Sequence, residues 1–148
     1  MLFVSEERVL RGERVILRPA AEDDLQRFAE ILASPDVSRW WGAPLRGAAL
    51  RNYVLGADDL ASFAIEMDGQ IVGLLQYHEE AEPGYRSAGM DIAIATEFQG
   101  RGLGQESLRT MARYLFEQRG HHRLTIDPAA ANSARSRAIE ALASGLWA

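Results

Sequence analysis

The sequence predicts an α/β domain of the mixed α+β kind, in which helices pack on one mixed β-sheet. Three observations predict this fold. Two strand-like runs flank the dipeptide Asp68-Gly69, a glycine-rich turn at residues 99–104 precedes a long helix-like run, and another strand-like run follows that helix. Because a helix that connects two neighbouring strands makes them parallel, the sheet should combine antiparallel and parallel pairs.

The first third of the chain predicts one strand and two helices. Residues 13–18 alternate apolar and polar side chains, as a strand does. Residues 21–33 place apolar side chains on one helical face and two aspartates in the first turn, where the helix dipole favours carboxylates; Pro35 is expected to end this helix. Residues 46–55 predict a second, weaker helix.

The other predicted elements are three strands of an antiparallel meander, a long helix, a parallel strand and a final helix. In chain order they are residues 62–67, 70–78, 88–95, 103–119, 121–127 and 132–143. The predicted order is β-α-α-β-β-β-α-β-α within a single domain, 1–148, a usual size for one domain. An acidic turn is expected between the second and third meander strands.

Composition bounds the possible functions. Apolar residues make up 47% of the chain, and no apolar run approaches the roughly 20 residues that span a bilayer. The absence of cysteine excludes disulfides, thiolate metal sites and a cysteine acyl-enzyme. The net charge of −5 disfavours nucleic acid and suits a cationic small molecule. We expect a cytoplasmic protein without a nucleic-acid or membrane partner. No metal site is predicted, since the adjacent His121 and His122 would point to opposite faces of a strand.

The turn QGRGLG, residues 99–104, places three glycines directly before a helix. Bare backbone at a helix N-terminus exposes N–H groups and partial positive charge, which suits a phosphate. The residues after the last glycine, Gln105 and Glu106, fit neither a nucleotide P-loop nor a dinucleotide fingerprint. On spacing alone, an anion-binding turn assisted by Arg101 and a plain strand-to-helix turn both remain open.

The pattern Gln99-x-x-Gly102-x-Gly104, after a strand and before a helix, resembles the acyl-CoA pyrophosphate loop of the GNAT N-acetyltransferase superfamily. The predicted element order is also that of its fold. Within the superfamily, the sequence is most similar to aminoglycoside 6′-N-acetyltransferases. The segments that carry this similarity, within about residues 10–132, are LRPAAEDDL, WWG, GMDI, QGRGLGQESL and TIDPAAAN. The WWG, GMD and IDP-to-Asn segments also resemble siderophore-pathway N-acyltransferases.

The resemblance implies acetyl-CoA as the cofactor and a set of residues that hold it. Backbone N–H groups of the glycine turn would hold the diphosphate, and part of the third meander strand would pair with the pantetheine arm like an added strand. Asn132 would reach the arm near the thioester. The predicted cofactor-binding residues are Ile92, Ala93, Ile94, Gln99, Gly100, Arg101, Gly102, Leu103, Gly104, Gln105 and Asn132.

The resemblance also implies a catalytic carboxylate, Asp91. An alkylammonium must lose a proton before it attacks a thioester, and a carboxylate can attract it, orient it and accept that proton. Alternation predicts that Asp91 shares a strand face with Ala93, opposite Met90, Ile92 and Ile94. On the residues alone, a merely solvated face is the open alternative.

The acceptor site is expected to combine aromatic and acidic side chains. The predicted acceptor-binding residues are Trp40, Trp41, Gln76, Tyr77, Asp91 and Asp127, and of Gln76 and Tyr77 one is expected to face the acceptor. Simpler interpretations stay open for two of these features. Asp127 before a proline is common turn chemistry, and the tryptophan pair could close the edge of the core.

The end of the sequence departs from the family pattern. Leu142 occupies the position of a tyrosine that commonly protonates the departing thiolate, and the family's last strands have no counterpart. A truncated gene, water as the acid, or a partner chain completing the sheet edge in a homodimer would each explain this. The predicted function is acetyl transfer to a primary amine of an aminoglycoside-like molecule, by direct attack in a ternary complex. The alternatives are an acyltransferase for a siderophore precursor or a protein N-terminus, and a non-catalytic CoA-binding module.

Overall fold

One sheet of six strands carries four α-helices in the part of the chain that the computed structural model describes, residues 8–56, 60–82 and 85–126. The strands are Leu10–Arg11 (β1), Ile16–Pro19 (β2), Ala61–Met67 (β3), Gln70–Glu82 (β4), Tyr85–Ile94 (β5) and Arg123–Ile126 (β6). The helices are Leu25–Ala33 (α1), Pro35–Trp41 (α2), Gly47–Arg51 (α3) and Leu103–Glu117 (α4). A π-helical turn, Asn52–Gly56, continues α3.

The strands lie side by side in chain order. All neighbours are antiparallel except β5 and β6, which are parallel across α4, so the predicted meander and crossover are confirmed. The β5–β6 pairing runs from Ser87↔Arg123 to Met90↔Ile126. Residues 91–94 of β5 therefore have β4 on one side and no strand on the other within the described chain. We call this stretch the open edge of β5.

Helices cover both faces of the sheet. Met90, Ile92 and Leu103 belong to the core on the α4 face, whereas Ala93 packs with α1 and α3 on the opposite face. The predicted alternation along β5 is confirmed, because Asp91 lies between residues of the α4 face. In the described chain, no helix has the length and apolar character needed to cross a membrane.

The prediction misses two short elements and misplaces two boundaries. The unpredicted elements are β1 and α2. Helix α1 ends at Ala33, just before Pro35 as predicted, and Pro35 then occupies the first turn of α2, where its missing N–H costs nothing. The expected acidic turn after His78 is strand, since the β4–β5 ladder continues to Glu82↔Tyr85. The last described strand begins at Arg123 and not at His121. The helix predicted at 132–143 lies outside the described residues.

Candidate functional site

The glycine turn adopts the backbone conformation for which its glycines are needed. Gly100 and Gly102 have φ angles of 79° and 80°, in the left-handed region that costs other L-residues roughly 1–2 kcal/mol, and α4 begins at Leu103. In the described chain, Arg101 closes a hydrogen-bonded turn at residues 99–100, and no hydrogen bond is given for the backbone N–H groups of Gly100 and of Gly102 to Gln105. These groups form a cluster of donors at the positive end of a 15-residue helix.

Side chains of the same segment fix the turn to its surroundings. The Gln99 side-chain amide donates to the Ile94 carbonyl over 2.9 Å, which ties the turn to the end of β5. The Arg101 guanidinium lies over the Phe98 ring, 5.2 Å from its centre, and Leu103 is buried in the core.

The Ile94 carbonyl already accepts a bond from Gln99. The Ala95 N–H donates to the Val72 carbonyl of β4, so in this antiparallel register Ala93 also directs its backbone groups toward β4. Ile92 is therefore the better candidate for pairing with a ligand at the open edge.

A buried carboxylate at the start of α4 connects the turn to the beginning of β2. Glu106 accepts hydrogen bonds from the backbone N–H groups of Arg14 and Val15 and from the Arg14 Nε, 2.9 Å away. Arg14 Nη1 in turn donates to the Arg101 carbonyl over 2.9 Å. Burial alone would raise the pKa of Glu106, but these donors outweigh burial and hold the pKa below its ordinary value. Sequence reasoning missed this group.

The space between α4 and β5 suits a CoA molecule. A Cβ built on Gly104 would lie 3.5 Å from Ile94 Cγ1 and 3.9 Å from Ile92 Cδ1, so this glycine faces β5 beside its open edge. A Cβ on Gly100 would meet nothing within 4 Å. The unpartnered N–H groups, the bare glycines and the adjacent open edge together fit a diphosphate that continues into an extended arm.

Asp91 lies in a row of polar residues on the face opposite α4. It is paired with Gln76, which is paired with Ser62 on the next strand. Gln76 is fully buried; its Nε2 donates to the Ser62 hydroxyl over 2.9 Å, and its Oε1 has no partner in the described chain. Asp91 is partly exposed and makes contacts of its own. An unsatisfied acceptor beside a carboxylate suits a ligand that brings N–H or O–H donors.

Two aromatic side chains border this row. The Trp41 indole donates a hydrogen bond to the hydroxyl of Tyr53, in the π-helical turn. Burial raises the pKa of Tyr53; the Trp41 hydrogen bond opposes that change and the charge of Asp91 adds to it. Trp41 and Tyr53 both pack against the core cluster that contains Ala93, which shares its strand face with Asp91. Sequence reasoning did not select Tyr53. A π-helical turn at that position is the kind of irregularity that often marks functional sites.

His78 is a further residue that sequence reasoning missed. It follows Gln76 by two positions and therefore lies on the same face of β4, where it is exposed and paired with Gly89. A Cβ on Gly89 would lie 2.4 Å from His78 Cε1, so the absence of a side chain lets the imidazole lie across β5. The ring thus borders the row at Asp91.

The structure does not bring all predicted acceptor residues together. Tyr77 is buried on the opposite face, stacks on Phe63 with ring centres 6.0 Å apart, and belongs to the α4 core, so only Gln76 of this pair faces the row. Burial raises the pKa of Tyr77, as expected for a core hydroxyl. Trp40 lies in the last turn of α2, and its side chain is outside the described part of the structure. Asp127, Asn132 and Leu142 lie outside the described residues.

A sequence model of the acetyltransferase (GNAT) domain matches residues 14–143, which is most of the chain. The chain belongs to the GNAT acetyltransferase family. Its predicted fold class is thereby confirmed, and acetyl-CoA is confirmed as the cofactor.

Individual relatives of this acetyltransferase have sequence identities to it of 18% to 26%. Aminoglycoside N(6′)-acetyltransferase type 1 of Klebsiella pneumoniae is 25% identical over 87% of this chain and 73% of the relative. The structure of aminoglycoside acetyltransferase AAC(6′)-Ib with coenzyme A superposes with a TM-score of 0.73 at 26% identity, over 85% of this chain and 81% of that one. A GNAT acetyltransferase from Bacillus anthracis superposes at 0.76 over 90% and 81% of the two chains, and at 18% identity shows the fold alone.

Proposed function

We propose that this acetyltransferase moves the acetyl group of acetyl-CoA to a primary amine of an aminoglycoside-like molecule, with both substrates bound at once. The observation that carries the proposal is the position of Asp91. Its backbone belongs to the open edge of β5, and its side chain belongs to the face bordered by Gln76, Tyr53 and Trp41. A carboxylate thus stands where a strand-like cofactor arm and an acceptor face would meet.

The cofactor is assigned to backbone more than to side chains. The N–H groups from Gly100 to Gln105 would hold the diphosphate, and the backbone of Ile92, with the Ile94 N–H, would pair with the pantetheine arm. When bound, acetyl-CoA supplies the acetyl group as an activated thioester. Because the chain has no cysteine, direct transfer is favoured over a cysteine acyl-enzyme.

The acceptor face suits a polycationic, polyhydroxylated amine. Asp91 would attract the ammonium group, orient it and accept its proton, directly or through water. Deprotonating an alkylammonium of pKa near 10.4 at neutral pH amounts to about 4–5 kcal/mol, so a positioned carboxylate is a substantial aid. Trp41 and Tyr53 offer flat surfaces for an aminosugar, and the unpaired Gln76 Oε1 offers a hydrogen-bond acceptor. Asp127 remains a proposed second carboxylate.

The relatives favour this acceptor class. AAC(6′)-Ib, at 25% identity, has a structure with both coenzyme A and kanamycin, and the Klebsiella relative is named for the same activity. The described residues favour neither of the other acceptors expected from sequence, a siderophore precursor and a protein N-terminus. The homodimer and the cytoplasmic location stay predictions.

Titration calorimetry with acetyl-CoA, followed by steady-state turnover on a panel of amines, tests the proposal. We expect saturable acetyl-CoA binding and turnover of kanamycin and tobramycin at higher kcat/KM than peptides or hydroxylamines. Turnover restricted to hydroxylamines or peptides would replace the acceptor class. Binding of acetyl-CoA without turnover of any amine would instead show a non-catalytic CoA-binding chain.

A further inference from the structure

We propose that Arg14 is a positioning residue for the cofactor turn: it holds the peptide between Arg101 and Gly102 in the orientation that presents an N–H group to the diphosphate. The proposal rests on the cofactor site proposed above. Arg14 lies outside the glycine pattern, 87 positions before Arg101 in the chain. It acts on the ligand through the backbone of the turn.

The geometry of the peptide group gives the mechanism. Arg14 Nη1 donates to the Arg101 carbonyl over 2.9 Å. In a planar trans peptide the N–H of the next residue points opposite to the carbonyl. Fixing the Arg101 carbonyl toward Arg14 therefore turns the Gly102 N–H away from Arg14 and leaves it available to a ligand. It also keeps a partial negative charge away from an incoming phosphate.

This turn needs such a restraint more than an ordinary one. Gly100 and Gly102 flank Arg101, and glycine reaches both positive and negative φ at little cost. The peptide between Arg101 and Gly102 could therefore rotate without steric penalty. The bond from Arg14 is the side-chain bond that the structure records on that carbonyl. Restraining the peptide before the ligand arrives removes an ordering cost from binding.

Arg14 is itself held firmly enough to act as a restraint. Glu106 accepts from the Arg14 Nε over 2.9 Å and from the backbone of Arg14 and Val15, so both ends of the residue are fixed to α4. The chain approaches this carboxylate closely at Gly12, where a Cβ would lie 2.6 Å from Glu106 Oε2. The Gly12 N–H donates to the Val15 carbonyl over 2.8 Å, and this turn fixes the backbone on both sides of Arg14.

A purely structural role and a purely electrostatic role make different predictions. If Arg14 only joined β2 to α4, its loss would lower the melting temperature and leave CoA affinity unchanged. If it only added positive charge, lysine would replace it, and the effect would vanish at high salt. A positioning role needs the guanidinium fork, which reaches Glu106 and the Arg101 carbonyl together; a single ammonium on a shorter stem cannot span both.

The experiment titrates CoA and dephospho-CoA into the wild-type chain, Arg14→Ala, Arg14→Lys and the control Arg11→Ala, at low and high salt. Arg11 is exposed in β1, and its loss changes the net charge by the same amount. We expect about tenfold weaker binding for both Arg14 variants, the magnitude of one lost hydrogen bond to a charged group. The reduction in affinity should be the same for CoA and dephospho-CoA and at both salt concentrations. The control should stay within about twofold of wild type.

Three results would overturn the proposal: wild-type affinity in Arg14→Ala, wild-type affinity in Arg14→Lys, or a loss that disappears at high salt. Arg14→Lys keeps a cation beside Glu106, so it tests the proposal even if Arg14→Ala, which leaves that carboxylate without its cation, fails to fold. A wild-type chain that bound no CoA would overturn the proposed function, and this inference with it. Wild-type binding unaffected by Arg14 would overturn this inference alone.

Discussion

Gly104→Val should separate loss of cofactor binding from loss of stability. Gly104 is the second residue of α4 and is not among the glycines with positive φ, so a side chain there is compatible with the backbone. A Cβ would make ordinary contacts, 3.5 Å from Ile94 Cγ1 and 3.9 Å from Ile92 Cδ1. The two γ-methyl groups of valine, however, would lie beside the N–H groups of the helix start and screen them from a diphosphate.

The expected change in the free energy of unfolding is smaller than the expected loss of CoA binding energy. Glycine is the poorer helix former by several tenths of a kcal/mol, which offsets crowding against β5, so the free energy of unfolding should change by less than about 1 kcal/mol. For a domain of this size that is a melting shift of no more than about 2–4 °C. Loss of one N–H bond to a phosphate oxygen should cost about 1.5–3 kcal/mol. Affinity for CoA should therefore fall at least about tenfold.

Calorimetric titration with CoA and thermal denaturation of the ligand-free protein measure the two quantities. Gly104→Ala, which adds only the Cβ, should lie between wild type and valine in affinity. Gly102→Val is the contrasting variant. Its φ of 80° and the Arg14 Nη2 3.3 Å from the new Cβ should cost about 1–2 kcal/mol of stability as well. Wild-type affinity in a folded Gly104→Val protein would refute the assignment of the diphosphate to this turn.

Three further predictions concern the acceptor face and pH. Asp91→Asn should lower kcat for an aminoglycoside by about 10²–10⁴-fold and leave the CoA Kd nearly unchanged; a matching loss of CoA affinity would contradict its role. Gly89→Ala should displace the His78 ring and raise the acceptor KM without changing the CoA Kd, and adding His78→Ala to it should have little further effect; additive effects would show that the ring does not act there. The pKa values of Asp24, Glu79 and Glu106 are lowered on folding because, despite burial, their hydrogen-bond donors favour the charged form. Their contribution to stability is therefore present above about pH 4.5 and lost as pH falls below it. Denaturant melts at a series of pH values should show the free energy of unfolding falling below that pH, less steeply for Glu106→Gln than for the wild type. The same dependence on pH in both proteins would contradict the role of Glu106.

The sheet was predictable because its signals are local. The Asp68-Gly69 turn predicted the hairpin of β3 and β4, and the alternation along 90–94 assigned each side chain to a face, both as the structure has them. A β-bulge between Ile65 and Glu66, which the turn does not signal, then shifts the register of β3 and β4 by one residue. The β4–β5 turn was misplaced for a physical reason. Its acidic residues are typical of a loop, but the ladder extends to Glu82, and Glu79 is held by Arg119 at 2.7 Å and by His121 at 2.6 Å.

The helices before β3 show what helix-breaking residues alone cannot predict. Pro35 is equally at home just past one helix and in the first turn of the next, and only the packing of both helices under the sheet decides between the two. Tyr53 lies in a π-helical turn that continues α3. No periodicity in a single sequence specifies such a turn, so Tyr53 could not be assigned to the acceptor face.

The site divides in the same way between local and long-range features. The glycine turn and Asp91 were predictable because each is unusual for its position: three glycines stand within five residues at the start of a helix, and an acid interrupts an apolar strand. Residues whose type is common at their position in a helix or beside a strand give no such signal. Glu106 is an ordinary helix residue by sequence, and Arg14 an ordinary strand-flanking one; only the fold brings them together, 92 positions apart. Residue types unusual for their position therefore identify the groups that would touch a ligand, whereas the residues that hold those groups in place must be found from contacts. This is why the Arg14 variants, and not further motif comparison, are the test of how the turn is organised.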